Sequence, residues 1–75
     1  MTKHTEINLM GVLPPVCLLQ CKKHLNGMAI GDVICVCVQD QETVRDLSLI
    51  IARSNDRIIK QERNAGTYRV FIQKG

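Results

Sequence analysis

The segment Val33–Val38 constrains the fold more than any other part of this chain. It is a pure apolar run, bounded by the turn pair Gly31-Asp32 before it and Asp40 after it. Its length and β-branched content predict a strand. Alternation along a strand puts Ile34, Val36 and Val38 on one face, and Val33, Cys35 and Cys37 on the other. A sheet built around such a strand needs partners on both sides, and the rest of the chain supplies them.

Upstream, Thr5 to Leu9 alternates as a short strand, with Ile7 and Leu9 apolar and Glu6 and Asn8 polar. Gly11 breaks it. Pro14-Pro15 opens a helix, because proline is favoured at the first helical position. The helix runs from Val16 to Asn26, with Leu18 and Leu25 inward, and Gly27 stops it. Downstream, Gln41 to Arg53 carries Val44, Leu47, Ile50 and Ile51 at helical spacing. Arg57 to Arg63 and Thr67 to Gln73 read as a hairpin around Asn64-Ala65-Gly66. The order is β-α-β-α-β-β. It predicts a two-layer α/β sandwich with a four-stranded mixed sheet and two helices on one face.

At 75 residues the chain is expected to form a single domain over residues 1–75. Its hydrophobic content of 45% is enough for a core and too high for disorder. The core must come from Ile, Leu, Val and Met, since there is one Phe, one Tyr and no Trp. A net charge of +3 is mild, and the basic residues are dispersed, so nucleic acid is not favoured as a partner. No apolar run has the length of a membrane span. MTKHTEIN has no apolar core of a signal peptide. Cys17 and Cys21 share a helix while Cys35 and Cys37 share a strand, spacings poorly suited to bridges within each pair. A reduced, cytoplasmic protein is the expectation.

Two constellations of side chains invite chemistry. Cys17, Cys21, His24 and Met28 form one helical stripe at a step of about 100° per residue. The spacing is not that of a zinc site, and neither a metal nor another cofactor is expected there. Cys35 and Cys37 are expected to face outward with Phe71 on the uncovered sheet surface, extended by Val33 and Ile59. Such a patch predicts docking or self-association. Neither a phosphate loop nor a hydrolytic triad can be placed.

The succession of landmarks resembles the TusA-like (SirA/TusA) sulfur-carrier family. That family has a strand, a glycine, and a Cys-Pro-x-Pro motif opening the first helix. Here the glycine is Gly11 and the motif window is Pro14-Pro15-Val16-Cys17. Leu18-Leu19, the basic pair Lys22-Lys23, Leu25, Met28, Gly31-Asp32, Ile34, Val36, Asp40, Asp46 and Leu47 follow in family order. Gly66, Tyr68, Arg69, Ile72 and Lys74 match its closing pattern. The family's cysteine falls on Pro14, and its second motif proline falls on Cys17. Asn8, Met10 and Asn55-Asp56 also depart from the pattern.

The resemblance implies a protein that relays persulfide sulfur between proteins, in tRNA thiolation or sulfur metabolism. A cysteine desulfurase or rhodanese would be the donor, and a second protein the acceptor. Cys17 is then the candidate carrier thiol, in the first turn where the helix field favours a thiolate. Gly11, Pro14 and Pro15 are the motif positions. Lys22, Lys23, Cys35, Cys37, Arg69 and Phe71 are the candidate partner-binding residues. The alternative is a non-catalytic TusA-like paralogue that keeps the scaffold as a protein-binding or regulatory module.

Overall fold

A computed structural model of the protein describes residues 4–13 and 15–75. The elements are β1 (His4–Asn8), α1 (Val16–Asn26), β2 (Val33–Val38), α2 (Gln41–Ala52), β3 (Arg57–Asn64) and β4 (Thr67–Gln73). The strands lie in the order β1-β2-β4-β3. β1 and β2 are parallel, as a connection through a helix requires, while β4 is antiparallel to both β2 and β3. The mixed sheet with its two helices is the α/β architecture expected from the sequence.

Element bounds follow local chemistry. α2 begins at Asp40, whose carboxylate accepts hydrogen bonds from the Thr43 N–H at 2.8 Å and the Thr43 hydroxyl at 2.7 Å. Those two bonds hold the Asp40 carboxyl below its ordinary pKa. Arg53 is the cap of α2, one residue past the helix proper. β3 and β4 meet in a two-residue turn at Ala65 and Gly66, with φ of +47° and +82°. Positive φ at both positions gives the twist a tight hairpin needs, at the cost of a non-glycine residue in left-handed backbone. β1 starts one residue earlier than the pattern suggested and ends before Leu9. The Leu9 N–H still reaches the Cys37 carbonyl at 2.9 Å, but its own carbonyl turns to accept from Val12.

One apolar layer lies between sheet and helices. Ile34, Val36, Val38, Val70 and Ile72 on the two central strands pack against Cys17, Cys21 and Leu25 of α1 and Val44, Leu47 and Ile51 of α2. The α2 residues recur at three- and four-residue steps, which puts them on one stripe of the helix.

The opposite sheet face differs from expectation. Cys35 lies on this outer face, as alternation predicts, but it is only 5% exposed, and Val33 is buried too. Long charged side chains lie across the Phe71 side of this face. The Arg69 guanidinium and the Lys60 ammonium sit 5.4 Å and 5.6 Å from the centre of the Phe71 ring. Arg69 pairs with Glu6 at 3.5 Å and Glu62 at 3.4 Å, and Lys60 pairs with Glu62 at 3.3 Å. Phe71 is half-buried beneath this layer. Of the apolar patch expected there, Cys35 and Val33 are buried, while Cys37 and Phe71 stay partly open to solvent. Ile59 falls at an irregularity, where the register shifts between Ile58 and Lys60, and is half exposed.

Candidate functional site

The parallel pair β1–β2 sends both strands toward the same edge, where both helices begin. The segment after β1 is held there by backbone and side-chain bonds. Met10 N–H donates to the Asn8 side-chain oxygen at 2.9 Å, and Gly11 N–H donates to Gln39 Oε1 at 3.1 Å. Gly11 has φ of +81°, which lets the chain reverse after the strand and enter α1. Pro15 is the N-cap of α1, with no side-chain hydrogen bond closing the first turn. Pro14, one of the three motif positions, lies outside the described residues.

Cys17 faces inward from this helix start. It is 0% exposed and belongs to the core beneath the helices. Its N–H donates to the Leu13 carbonyl at 3.2 Å. Burial pushes the Cys17 thiol pKa up, and the Asp40 carboxylate at the start of α2 adds to the rise. The expectation of a thiolate favoured at the helix N-terminus runs the opposite way here, because desolvation and a neighbouring anion both favour the neutral thiol. Lys22 and Lys23 lie farther along α1, half-buried and exposed, and Lys22 exerts its positive charge on Cys21. Burial dominates at Cys21 as well and pushes its thiol up to about 12. Cys17, Cys21 and Leu25 are the inward stripe of α1. His24 is exposed and Met28 half-buried, so the four residues of the predicted stripe do not share one environment.

Apolar side chains surround the helix start on its outer side. Leu13 is 70%, Val16 50% and Leu19 66% exposed. Val16 and Leu19 are neighbours at i, i+3, and Leu13 enters one turn earlier. Sequence periodicity did not single them out. The signal was there: α1 has apolar residues on two faces, and only one can meet the sheet.

The second candidate region is the outer sheet face. Register places Glu6 beside Cys35, Cys35 beside Phe71 and Cys37 beside Arg69. The Cys37 thiol donates to Glu6 Oε1 at 3.5 Å. The Cys37 pKa is raised, first by burial and then by Cys35 and Glu6. Arg69 is held more firmly protonated, chiefly by the Cys35 sulfur and then by Glu6 and Glu62, against an opposing effect of burial. Four of the predicted partner-binding residues, Cys35, Cys37, Arg69 and Phe71, thus meet here. Glu6, which the sequence did not single out, joins them. All four cysteines are free thiols. Among the described residues, no helix is long and apolar enough to cross a membrane.

Comparison with known proteins agrees with this geometry. The family model described as "Sulfurtransferase TusA" matches residues 5–74. The sulfur carrier protein TusA of Allochromatium vinosum is 26% identical over 69 residues, covering 92% of this chain and 91% of that protein. The crystal structure of a SirA-like protein from Desulfitobacterium hafniense has the same fold, with a TM-score of 0.84 and 22% identity. That match covers 95% of this chain and 97% of the other. With nearly its whole length matched by the family model, and the strand–helix order and sheet topology just described, the chain belongs to the TusA sulfurtransferase family.

Proposed function

We propose that this chain serves as a protein-docking module of the TusA family, engaging partners of sulfur relay through the start of α1 without carrying persulfide on Cys17. One observation carries the reading. The sulfur nearest the family's motif position is sealed in the core, with its thiol pKa raised. A persulfide donor must present its terminal sulfur to an attacking thiolate. Cys17 offers neither access nor charge, and Pro14, on which the resemblance places the family's cysteine, offers no nucleophile.

Leu13, Val16 and Leu19 supply what docking needs, an apolar surface around the helix start. Lys22 and Lys23 border it along α1 and suit a partner with acidic groups at its rim. The partners in this reading are those the family implies, a cysteine desulfurase or a rhodanese-like donor and the protein that accepts from it. The setting is a reducing compartment, the cytoplasm, in tRNA thiolation or sulfur metabolism.

Direct persulfide relay by Cys17 is the second reading. It is favoured by one observation: α1 has no side-chain cap at Pro15 to secure its first turn. Opening there would bring Cys17 out.

A desulfurase binding assay separates the two. Docking predicts that Leu19→Asp weakens donor binding by about tenfold or more, as loss of a central apolar contact does. It also predicts that Cys17→Ala leaves binding unchanged. Incubation of the folded protein with the loaded donor should add no sulfur atom to Cys17 by mass spectrometry. A sulfur adduct on Cys17 that forms in the native protein overturns the docking reading and supports the second.

A further inference from the structure

The outer sheet face holds a cluster that neither the helix start nor the family motif explains. Glu6 of β1 and Cys35 and Cys37 of β2 place one carboxylate oxygen and two sulfurs all within 4.8 Å of one another. Strand geometry produces this. Cys35 and Cys37 are two residues apart on one strand and so share a face, and the parallel register sets Glu6 against Cys35. Tetrahedral zinc with Zn–S bonds of about 2.3 Å needs sulfurs about 3.8 Å apart. The three donors are therefore within a rotamer adjustment of that arrangement.

We propose that Glu6, Cys35 and Cys37 form a zinc site on the open face of the sheet, with the fourth position left to solvent or to a ligand from outside. The donor set is the kind that selects zinc among common divalent ions: two soft thiolates exclude magnesium and calcium, and the carboxylate suits a borderline metal. Binding exchanges protons for metal without redox change. Two thiol protons leave to solvent, two Zn–S bonds and one Zn–O bond form, and no electron is transferred.

Charge closes as well. Two thiolates and one carboxylate carry −3, the ion carries +2, and the remaining −1 faces the Arg69 guanidinium. Arg69 already lies 3.5 Å from Glu6 and sits beside Cys37 in the strand register. It would act as the outer-shell donor that orients ligands and balances their charge. Glu6 is exposed and Cys37 partly so, which gives the ion a path from water. This site lies across the sheet from α1, so it stands whichever reading of the helix start holds.

The test is titration of the reduced, full-length protein with Zn2+ alone against a chromophoric chelator of micromolar affinity. The expected result is one Zn2+ per chain. Cys37→Ser should abolish competition with the chelator, and Glu6→Gln should weaken binding by about tenfold or more. Cobalt as a probe should give a thiolate-to-metal charge-transfer band that disappears in Cys37→Ser. Circular dichroism checks the fold, and both variants sit at solvent-accessible positions, so they decide the matter even if the buried Cys35→Ser fails to fold. Absence of competition by the wild-type protein overturns the proposal. Binding that survives Cys37→Ser overturns it too, as does binding indifferent to Glu6→Gln, which would mean a ligand set without the carboxylate or a site elsewhere.

Discussion

Alkylation of the four thiols in the native protein should separate them by position in the fold, and the expected spread can be worked out. Cys17 and Cys21 are fully sealed in the core. For iodoacetamide to reach either, the helix layer must open. A domain of 75 residues is stable by about 4–10 kcal/mol. If opening requires most of that free energy, the accessible population is about one in a thousand or fewer. Cys21 has a second barrier. Its thiol is raised from an ordinary 9.0 to about 12, so even a reagent that entered would meet a thiolate about a thousandfold rarer than usual. Cys35 lies under Arg69 and Phe71 and should react slowly. Cys37 is the one thiol of the four that is not buried; its raised pKa makes it slower than a free cysteine but leaves it far ahead of the others.

The assay is a time course of alkylation at mildly alkaline pH, quenched and read by peptide mass spectrometry with fragment ions that resolve Cys17 from Cys21 and Cys35 from Cys37. Cys37 should label first. Cys17 and Cys21 should lag by about three orders of magnitude and catch up in denaturant. Native labelling of Cys17 within about tenfold of Cys37 refutes the reasoning. It would mean that the start of α1 opens cheaply, and the argument against a carrier thiol at that position would lose its physical basis.

Two further outcomes concern stability. The raised Cys21 pKa makes the folded state hold a proton that the unfolded chain has released. Its contribution is therefore fully present below about pH 9 and declines as pH rises toward about 12, by about 1.4 kcal/mol per unit in that window. Chemical denaturation across that pH range should show the decline, and Cys21→Ala should flatten it; an unchanged slope in the variant would locate the alkaline sensitivity elsewhere. In the β3–β4 turn, Ala65→Gly relieves a left-handed non-glycine residue and should raise stability by about 1 kcal/mol, seen as a higher melting temperature, while Ala65→Val should lower it.

The sequence made the fold legible because its punctuation is strong. The run Val33–Val38 and the helix Val16–Asn26 have the bounds that their flanking Gly, Pro and Asp residues indicate. Bounds differ by one residue at His4, Leu9, Arg53 and Asn64, all at element ends. The sites were less legible. Alternation tells which face Cys35 occupies but not that Arg69 and Lys60 lie flat across it, since the reach of a long side chain depends on partners in other strands. Proximity of Glu6 to Cys37 depends on the register of two strands joined through a helix, which no local pattern records. For Cys17 the helix was right and its consequence was not: the step that aligns Cys17 with Cys21 also aligns both with Leu25, and a stripe ending in a buried leucine faces the core.

The start of α1 offers an anion little once its backbone donors are counted. A helix start stabilises a thiolate through N–H groups that have no partner in the first turn. Cys17, on which the resemblance places the family's second proline, has an N–H that a proline would lack. That N–H is not left for an anion; it donates to the Leu13 carbonyl and extends helical bonding one turn backward. The Cys17 side chain packs in the core between α1 and the sheet. The neighbouring Asp40 carboxylate is compatible with a neutral thiol there and would oppose a charged one. A helix start rebuilt in this way holds its sulfur as a core atom, and what it leaves outside, Leu13, Val16 and Leu19, is surface suited to contact.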